Sequence, residues 1–446
     1  MNAIWIKYLP CSIRARLDGR HSLQSIIGNT VWLAIDRALR MGLGLVVGIW
    51  LARYLGPGQF GLWNFAIAFA ALFGALATLG LDGIVIRELV RDPERQPVVM
   101  GSAFVLKLVA SVIALFLSLI GITIMRGGEV LTFWLVGLSA AGFMFQSINV
   151  VDFYFQAKVQ AKFTVYAANA AFLMMLVVKI WLLLRGAPII SFAWAGLAEA
   201  ALTATFLVWA YRANHLRMRD WQYDLQVMRG LLKESWPLLL ASVAVMFYMR
   251  LDMVMLQQMA GEREVGIYAA ATRLSEIWYF LPVIIVASAS PAIIRAHQAD
   301  PIEFVKKLRK LYFVLAWLAI GISLPVSLLS DRIVGLLYGE DFHAAAAVLA
   351  MHLWASIAVF LGVASSQYLL VEQRQDISLY RTLIGLVCNV ALNLVLIPGM
   401  GAMGAAIATV VSYFVATFSM VFFRSTRGHT VHLLLAPFSW HEFRAR

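Results

Sequence analysis

Arg250 and Asp252 stand well inside one apolar stretch, and Arg273 and Glu276 inside the next; a short polar turn, Gly261-Glu262-Arg263-Glu264, joins the two. Each stretch is long enough to cross a bilayer, which takes about 20 residues at about 1.5 Å rise per residue. An ionisable group at that depth costs roughly 2.5–3.5 kcal/mol, so a hairpin carrying this set is more than an anchor. Arg37, Arg40, Lys107, Lys179, Asp36, Asp152 and Glu199 occupy comparable positions in other apolar stretches. Asp36 and Arg40 are four apart and share a helix face, and Arg273 and Glu276 are three apart, so both can pair. Arg250 and Asp252 are two apart and point in different directions. Such groups need either well-made partners or a water-filled cavity. A guanidinium offers a planar fork of donors that suits phosphate or pyrophosphate, which makes Arg37, Arg40, Arg250 and Arg273 the candidates for holding such a group. Lys107 and Lys179 are further candidates to line the same cavity. So are Gln146, Asn149 and Asp152, which form a polar stripe with Gln156 at helical spacing. That stripe suits a sugar and suits interhelical hydrogen bonding equally. Asp152 and Glu199, nearer the membrane surfaces, also read as ordinary ion-pair partners.

Other chemistries find no support. Cys11 and Cys388 are too few for a disulfide framework or a cysteine metal cluster, and the eight histidines have no metal-ligand spacing. No nucleophile–base pair, metal site, phosphate loop or cofactor motif stands out, so neither an enzyme nor a cofactor is expected. The net charge of +12 would suggest nucleic acid in a soluble protein. Here it points to membrane lipid or an anionic substrate. The segment 1–22 lacks the apolar core of a cleavable signal peptide and reads as a basic segment lying along the inner interface.

The elements that position these groups are transmembrane helices. The 446-residue chain is 62% hydrophobic and 13% charged, with a mean hydropathy of +0.81. A soluble domain that apolar would expose far too much oily surface. About twelve spans follow: 23–53, 60–86, 98–124, 130–156, 163–184, 189–211, 232–259, 264–290, 309–330, 343–371, 376–397 and 401–423. With the N-terminus inside, the inner segments hold about 25 of the 36 lysines and arginines. The outer turns keep only Arg53, Arg126, Arg185, Arg263 and Arg332. Both termini are therefore expected in the cytoplasm. The longest polar connection, 212–231, falls near the middle of the chain and predicts an amphipathic linker between two bundles. The expected organisation is a cytoplasmic basic segment 1–22, an N-lobe 23–211, the cytoplasmic linker, a C-lobe 232–424 and a cytoplasmic tail 425–446. The fold class is an all-α polytopic membrane protein, with twelve transmembrane helices in two six-helix lobes around a central cleft.

The halves echo one another. Gly56-Pro-Gly-Gln-Phe-Gly61 matches Gly261-Glu-Arg-Glu-Val-Gly266, with glycines five apart at the first outer turn of each half. Tyr154 and Tyr166 recur as Tyr368 and Tyr380, and Ala193-Trp-Ala-Gly196 as Gly401-Ala-Met-Gly404. Members of each pair share an expected orientation, so the repeat runs parallel about the membrane normal. Gly42, Gly44 and Gly48 are expected to let helices approach closely, and Asn389 and Asn393 to join helices rather than bind a ligand.

The pattern ARYLGPGQFG (52–61), then LGLDGIVIREL (79–89), then RLDMVMLQQMAGEREVGIYAAATRLSEIWYFLP (250–282) resembles the polysaccharide-biosynthesis flippases of the Wzx type, over nearly all the spans. Lipid II flippases and multidrug-and-toxin exporters share that superfamily. The resemblance implies two lobes in a V with alternating access. It also implies transport of an undecaprenyl-pyrophosphate-linked oligosaccharide between the leaflets of a bacterial inner membrane, for O-antigen, capsule or exopolysaccharide, beside polysaccharide polymerase and chain-length proteins. The family's cationic lumen would match Arg37, Arg40, Arg250 and Arg273. Asp36, Asp252 or Glu276 could add proton or cation coupling. The rival within the superfamily is a cation-coupled drug exporter, whose cavity should be net acidic.

Overall fold

A lipid environment allows a crossing segment no unpaired backbone group, so helices are the form these apolar stretches must take. The structure is a computed structural model that describes the backbone of residues 21–435 and side chains from residue 40 onward. Its helices are α1 (His21–Thr78), α2 (Asp82–Arg91), α3 (Gln96–Met125), α4 (Val130–Gln146), α5 (Val150–Ala157), α6 (Lys162–Leu184), α7 (Ile189–Ala213) and α8 (Leu225–Ala260). The second half follows with α9 (Glu262–Glu276), α10 (Phe280–Ala299), α11 (Pro301–Leu328), α12 (Ser330–Tyr338), α13 (Ala344–His352), α14 (Ala355–Val371), α15 (Gln375–Phe418) and α16 (Arg427–Leu434). No strand occurs among the described residues. Among the described residues, ten helical segments are long and apolar enough to cross a membrane. Large apolar side chains such as Ile124 (82% exposed) and Leu328 (76%) face outward from them, as lipid contact requires.

Two of the ten are far longer than one crossing, Arg40–Arg91 with 52 residues and Gln375–Phe422 with 48. Arg40–Arg91 breaks at Leu79 and Gly80 between α1 and α2, and inside each long helix one glycine also leaves helical geometry, Gly56 (φ 67°, ψ 171°) in α1 and Gly401 (φ 52°, ψ −129°) in α15. Only glycine takes such angles cheaply. At Gly56 the next residue is Pro57, whose fixed φ and missing N–H suit the first turn of a new helical run.

Two expected loops are mostly helix. Of 291–308, only Asp300 leaves helical geometry; its side chain accepts from the Ile302 N–H at 2.8 Å and Pro301 opens α11, an N-terminal signal overlooked among the surrounding charges. Of 212–231, only 214–224 lies outside α7 and α8, with a single 3₁₀ turn at Met218–Asp220.

The chain divides into two compact units. One comprises Met1–Gly48 and Phe73–Ser242. Its core gathers Leu81, Met100, Val151, Phe155 and Tyr211. The 214–224 segment is pinned to it: the Gln222 N–H donates to the Pro97 carbonyl at 3.1 Å, the Asp224 N–H to Ser102 Oγ at 3.1 Å, and Trp221 Nε1 to the Tyr211 hydroxyl at 3.1 Å. Gly101 has no side chain because the Gln222 backbone fills the space of a Cβ. Gly42 and Gly44 show no such approach among the described residues, where a Cβ on either would meet nothing within 4 Å.

The other unit comprises Ile49–Leu72 and Val243–Arg446. Its largest core cluster includes Tyr312, Phe360, Ala364, Ile377 and Met420. Within it the two glycine-flanked turns pack backbone on backbone. A Cβ on Gly61 would run into the Glu262 carbonyl, and one on Gly266 into the Pro57 carbonyl. The contact is reciprocal: Gly56, Pro57 and Gly61 stand to Gly261, Glu262 and Gly266 as the repeat pairs them. Gly261 (φ 87°) breaks the chain as Gly56 does. The Glu264 carboxylate then accepts the Ala402 N–H at 2.7 Å, just past the break at Gly401. A carboxylate at the start of a helical run satisfies an orphan donor and the positive end of the helix dipole.

Candidate functional site

In the second unit α8 and α9 bring Arg250, Asp252, Arg273 and Glu276 close enough that their charges act on one another. No ion pair within 4.0 Å joins any two of them among the described residues, so the spacing that allowed Arg273 to pair with Glu276 is not used. Asp252 is the deepest, only 5% exposed. Its carboxylate accepts from the Met253 N–H at 2.7 Å and from the Tyr268 hydroxyl, which also lies 3.1 Å from Thr409 Oγ1. Arg250 and Glu276 are half-buried. Arg273 sets its guanidinium over the Phe60 ring, 5.8 Å from the centroid, and its buried Nη1 has no hydrogen-bond partner. A buried N–H left unmade costs about 1–3 kcal/mol, more when charged. The arrangement is that of a cation held by a π face with donor capacity to spare.

In the first unit the expected residues do not converge on one point. Arg40 donates from Nε to Asn169 Oδ1 at 3.2 Å and stands 5.8 Å over the Phe172 ring. Lys107 is 4% exposed, 3.5 Å from Asp82 and 4.7 Å over the Phe153 ring. Lys179 and Glu199 form an ion pair at 2.6 Å between α6 and α7. The polar stripe straddles a 3₁₀ turn at Ser147–Asn149, with Gln146 exposed and Asn149 and Asp152 half-buried; Gln156 donates to Asp152 at 2.9 Å. The side chains of Asp36 and Arg37 lie outside the described residues.

Several residues escaped sequence reasoning. Tyr268, Thr409, Ser275 and His352 form a buried polar set beside Asp252, with Ser275 Oγ 2.6 Å from His352 Nδ1. Single hydroxyls and imidazoles in apolar helices carry no periodic signal. Gln257, 2% exposed, has neither amide atom partnered. Asn393 donates to Asn389 at 3.0 Å and Asn389 to Ser412 at 3.3 Å, so this pair does hydrogen-bond between helical segments. At one end of the unit a cavity of about 380 Å³ is lined by His297, Arg309, Tyr312, Tyr368, His429 and His432, among others. His429 stacks on Tyr368 at 3.6 Å and lies 2.7 Å from the Tyr312 hydroxyl; burial first, and the neighbouring His432 second, push its pKa down to about 3. No group of three or more His, Cys, Asp or Glu among the described residues is placed to hold a metal ion.

Comparison with known proteins fits this framework. Residues 26–297 match the family described as "Polysaccharide biosynthesis protein", and residues 237–395 match MatE. Among curated relatives, the "Probable low-salt glycan biosynthesis flippase Agl15" of Haloferax volcanii is 24% identical over 190 residues, covering 42% of this chain and 40% of that protein. The "Probable flippase AglR" of the same organism is 28% identical over 172 residues, covering 37% and 36%. The matches thus span well under half of each relative. Two solved structures share the fold at a TM-score of 0.71. One is an inward-facing multidrug resistance MATE transporter of the MOP superfamily, 18% identical, covering 91% of this chain and 99% of that one. The other is the lipid II flippase MurJ in an inward closed conformation, 15% identical, covering 91% and 90%. With helices of this length and this match over more than half its length, the chain is a multi-pass membrane protein that belongs to the polysaccharide biosynthesis protein family.

Proposed function

We propose that this chain is a flippase. It moves an undecaprenyl-pyrophosphate-linked oligosaccharide from the inner to the outer leaflet of a cytoplasmic membrane, by alternating access, for surface polysaccharide assembly. Family membership supports the class. The observation that carries the chemistry is the α8–α9 group, where Arg250 and Arg273 lie at membrane depth without an ion pair and Arg273 keeps a buried N–H unmade. Guanidinium groups of this kind replace water around a pyrophosphate, which lowers the cost of dehydrating it. Arg37 and Arg40 supply the corresponding charges from the first helix. In an inside-negative cell, outward movement of an anion is favoured by roughly 2.3 kcal/mol per charge per 100 mV. In this reading α1 and α15 each cross twice, at Gly56 and Gly401, which gives twelve crossings with both termini in the cytoplasm, an N-lobe 23–211 and a C-lobe 232–424. The Gly61–Gly266 clasp then lies on the outer side and must part for the sugar to leave.

The test is translocation of a lipid-linked glycan in reconstituted vesicles, comparing the protein with Arg250→Ala and Arg273→Ala. One charged hydrogen bond is worth about 1.5–3 kcal/mol, so rates should fall roughly 10- to 150-fold. Undiminished rates would remove both residues from the mechanism.

One observation favours a second reading. Asp252 is a buried carboxylate held by Tyr268, a pairing that also suits the proton or cation coupling of a drug exporter. Deletion that alters resistance to cationic dyes while leaving surface polysaccharide normal would favour that exporter.

A further inference from the structure

The connection after α7 is strongly basic and its charges are unspent. Arg212, His215, Arg217 and Arg219 line one cavity of about 520 Å³, together with Leu216 and Met218. Among the described residues none of these four basic side chains has an ion pair or a side-chain hydrogen bond. Some basic residues near other helix ends are paired, Arg87 with Glu234, Lys307 with Glu303 at 2.7 Å and Arg374 with Asp376 at 3.2 Å, but here four unpaired bases share one hollow. Asp220 is the one acid between Arg212 and Gln222. The backbone turns sharply at His215 (φ 61°), a conformation uncommon outside glycine, and this brings both arms of the loop to the same hollow. Both arms are also fixed, by Tyr211 on one side and by the Gln222, Asp224 and Trp221 hydrogen bonds on the other. The cavity is therefore set in shape before any ligand arrives.

Its depth follows from its neighbours. Arg212 ends the span Ile189–Ala213, and Trp209 (69% exposed) and Tyr223 (70%) flank the loop. Exposed tryptophan and tyrosine at a span's end mark the headgroup level of a bilayer. We propose that this cavity is a binding site for the phosphodiester headgroup of an anionic phospholipid, held by Arg212, Arg217 and Arg219 with His215 at the rim. The hollow is of the size ligand pockets have, and its arginines present forked donors to phosphate oxygens. The site holds whether or not the chain flips a glycan lipid.

The experiment is lipid retention by the full chain. The protein is reconstituted in mixed phosphatidylcholine and phosphatidylglycerol nanodiscs, released into detergent, and its bound lipids are counted by native mass spectrometry. Each arginine near an anionic surface is worth about fivefold in affinity. The protein should retain phosphatidylglycerol over phosphatidylcholine by tenfold or more on that estimate, and R212Q/R217Q/R219Q should bring the ratio close to parity. The single variant Arg217→Gln should lower it by about fivefold, which keeps the test decisive if the triple variant folds poorly. Arg229→Gln, outside the cavity, should leave it unchanged. The proposal is overturned if the triple variant keeps the full preference. It is equally overturned if millimolar inorganic phosphate displaces all phosphatidylglycerol, which would make a soluble anion the ligand. Because no transport is measured, these outcomes are separate from those of the translocation assay.

Discussion

Replacing Gly61 with alanine tests the reciprocal clasp directly. The new Cβ would overlap the Glu262 carbonyl oxygen and stand 2.8 Å from both Glu262 C and Gly266 N, where ordinary contact begins at 3.4 Å. All three neighbours are backbone, so no side chain can swing aside. The two turns must separate by at least 0.6 Å along those contacts, and further along the carbonyl. Overpacking of this kind costs about 1–3 kcal/mol, which shifts the balance between clasped and parted turns by roughly 5- to 150-fold. Gly58→Ala, in the same turn, is the control: a Cβ there meets nothing within 4 Å. Because it also replaces a helical glycine, it should be neutral or stabilising by up to about 1 kcal/mol.

The readout is accessibility of a single cysteine at Arg263, which is exposed at the rim of the clasp. It is measured in vesicles with a membrane-impermeant maleimide, after Cys11 and Cys388 have been replaced. Gly61→Ala and Gly266→Ala should each raise the labelling rate. The double variant should do little more than either, because both strain one contact and their effects cannot add. Gly58→Ala should leave labelling unchanged. If Gly61→Ala labels like the unaltered protein while folding normally, the clasp carries no conformational energy and the reasoning fails.

Two further outcomes follow. Lys179→Gln and Glu199→Gln should each cost little stability and show a coupling of about 0.6 kcal/mol in a double-mutant cycle, since each partner is about a quarter exposed. Thermal unfolding in detergent measures this; a coupling above about 2 kcal/mol would contradict it. His429, with its pKa held near 3 against about 6.5 in an unfolded chain, contributes stability that is present above pH 6.5 and lost as the pH falls toward 3. Once rates are corrected for intrinsic exchange, which itself slows as the pH falls, the protection of 427–434 should therefore weaken between pH 7 and pH 5, and His429→Phe should flatten that dependence. Arg309, Tyr312, Tyr368 and His432 surround the same cavity. A dependence that survives in His429→Phe would refute the assignment to His429.

What the sequence made legible follows from where the physics is one-dimensional. A bilayer demands long apolar runs, so membrane helices and the positions of Arg250, Asp252, Arg273 and Glu276 within them could be read directly. Contacts between runs could not. Lys179 and Glu199 lie on different helices, and no periodicity links them. Tyr268 and Thr409 meet beside Asp252 from places 141 residues apart. Glycines show both sides of the limit. Gly42 and Gly44 have the composition of a close helix approach but no neighbour among the described residues, whereas Gly61 and Gly266 were visible only as an echo between halves. That echo contained more than spacing. A parallel repeat about a membrane-normal axis brings like turns to the same depth, and two glycine-bearing turns at one depth can meet backbone to backbone. A side chain on either would forbid it, so the repeated glycine is what self-contact of a duplicated turn requires.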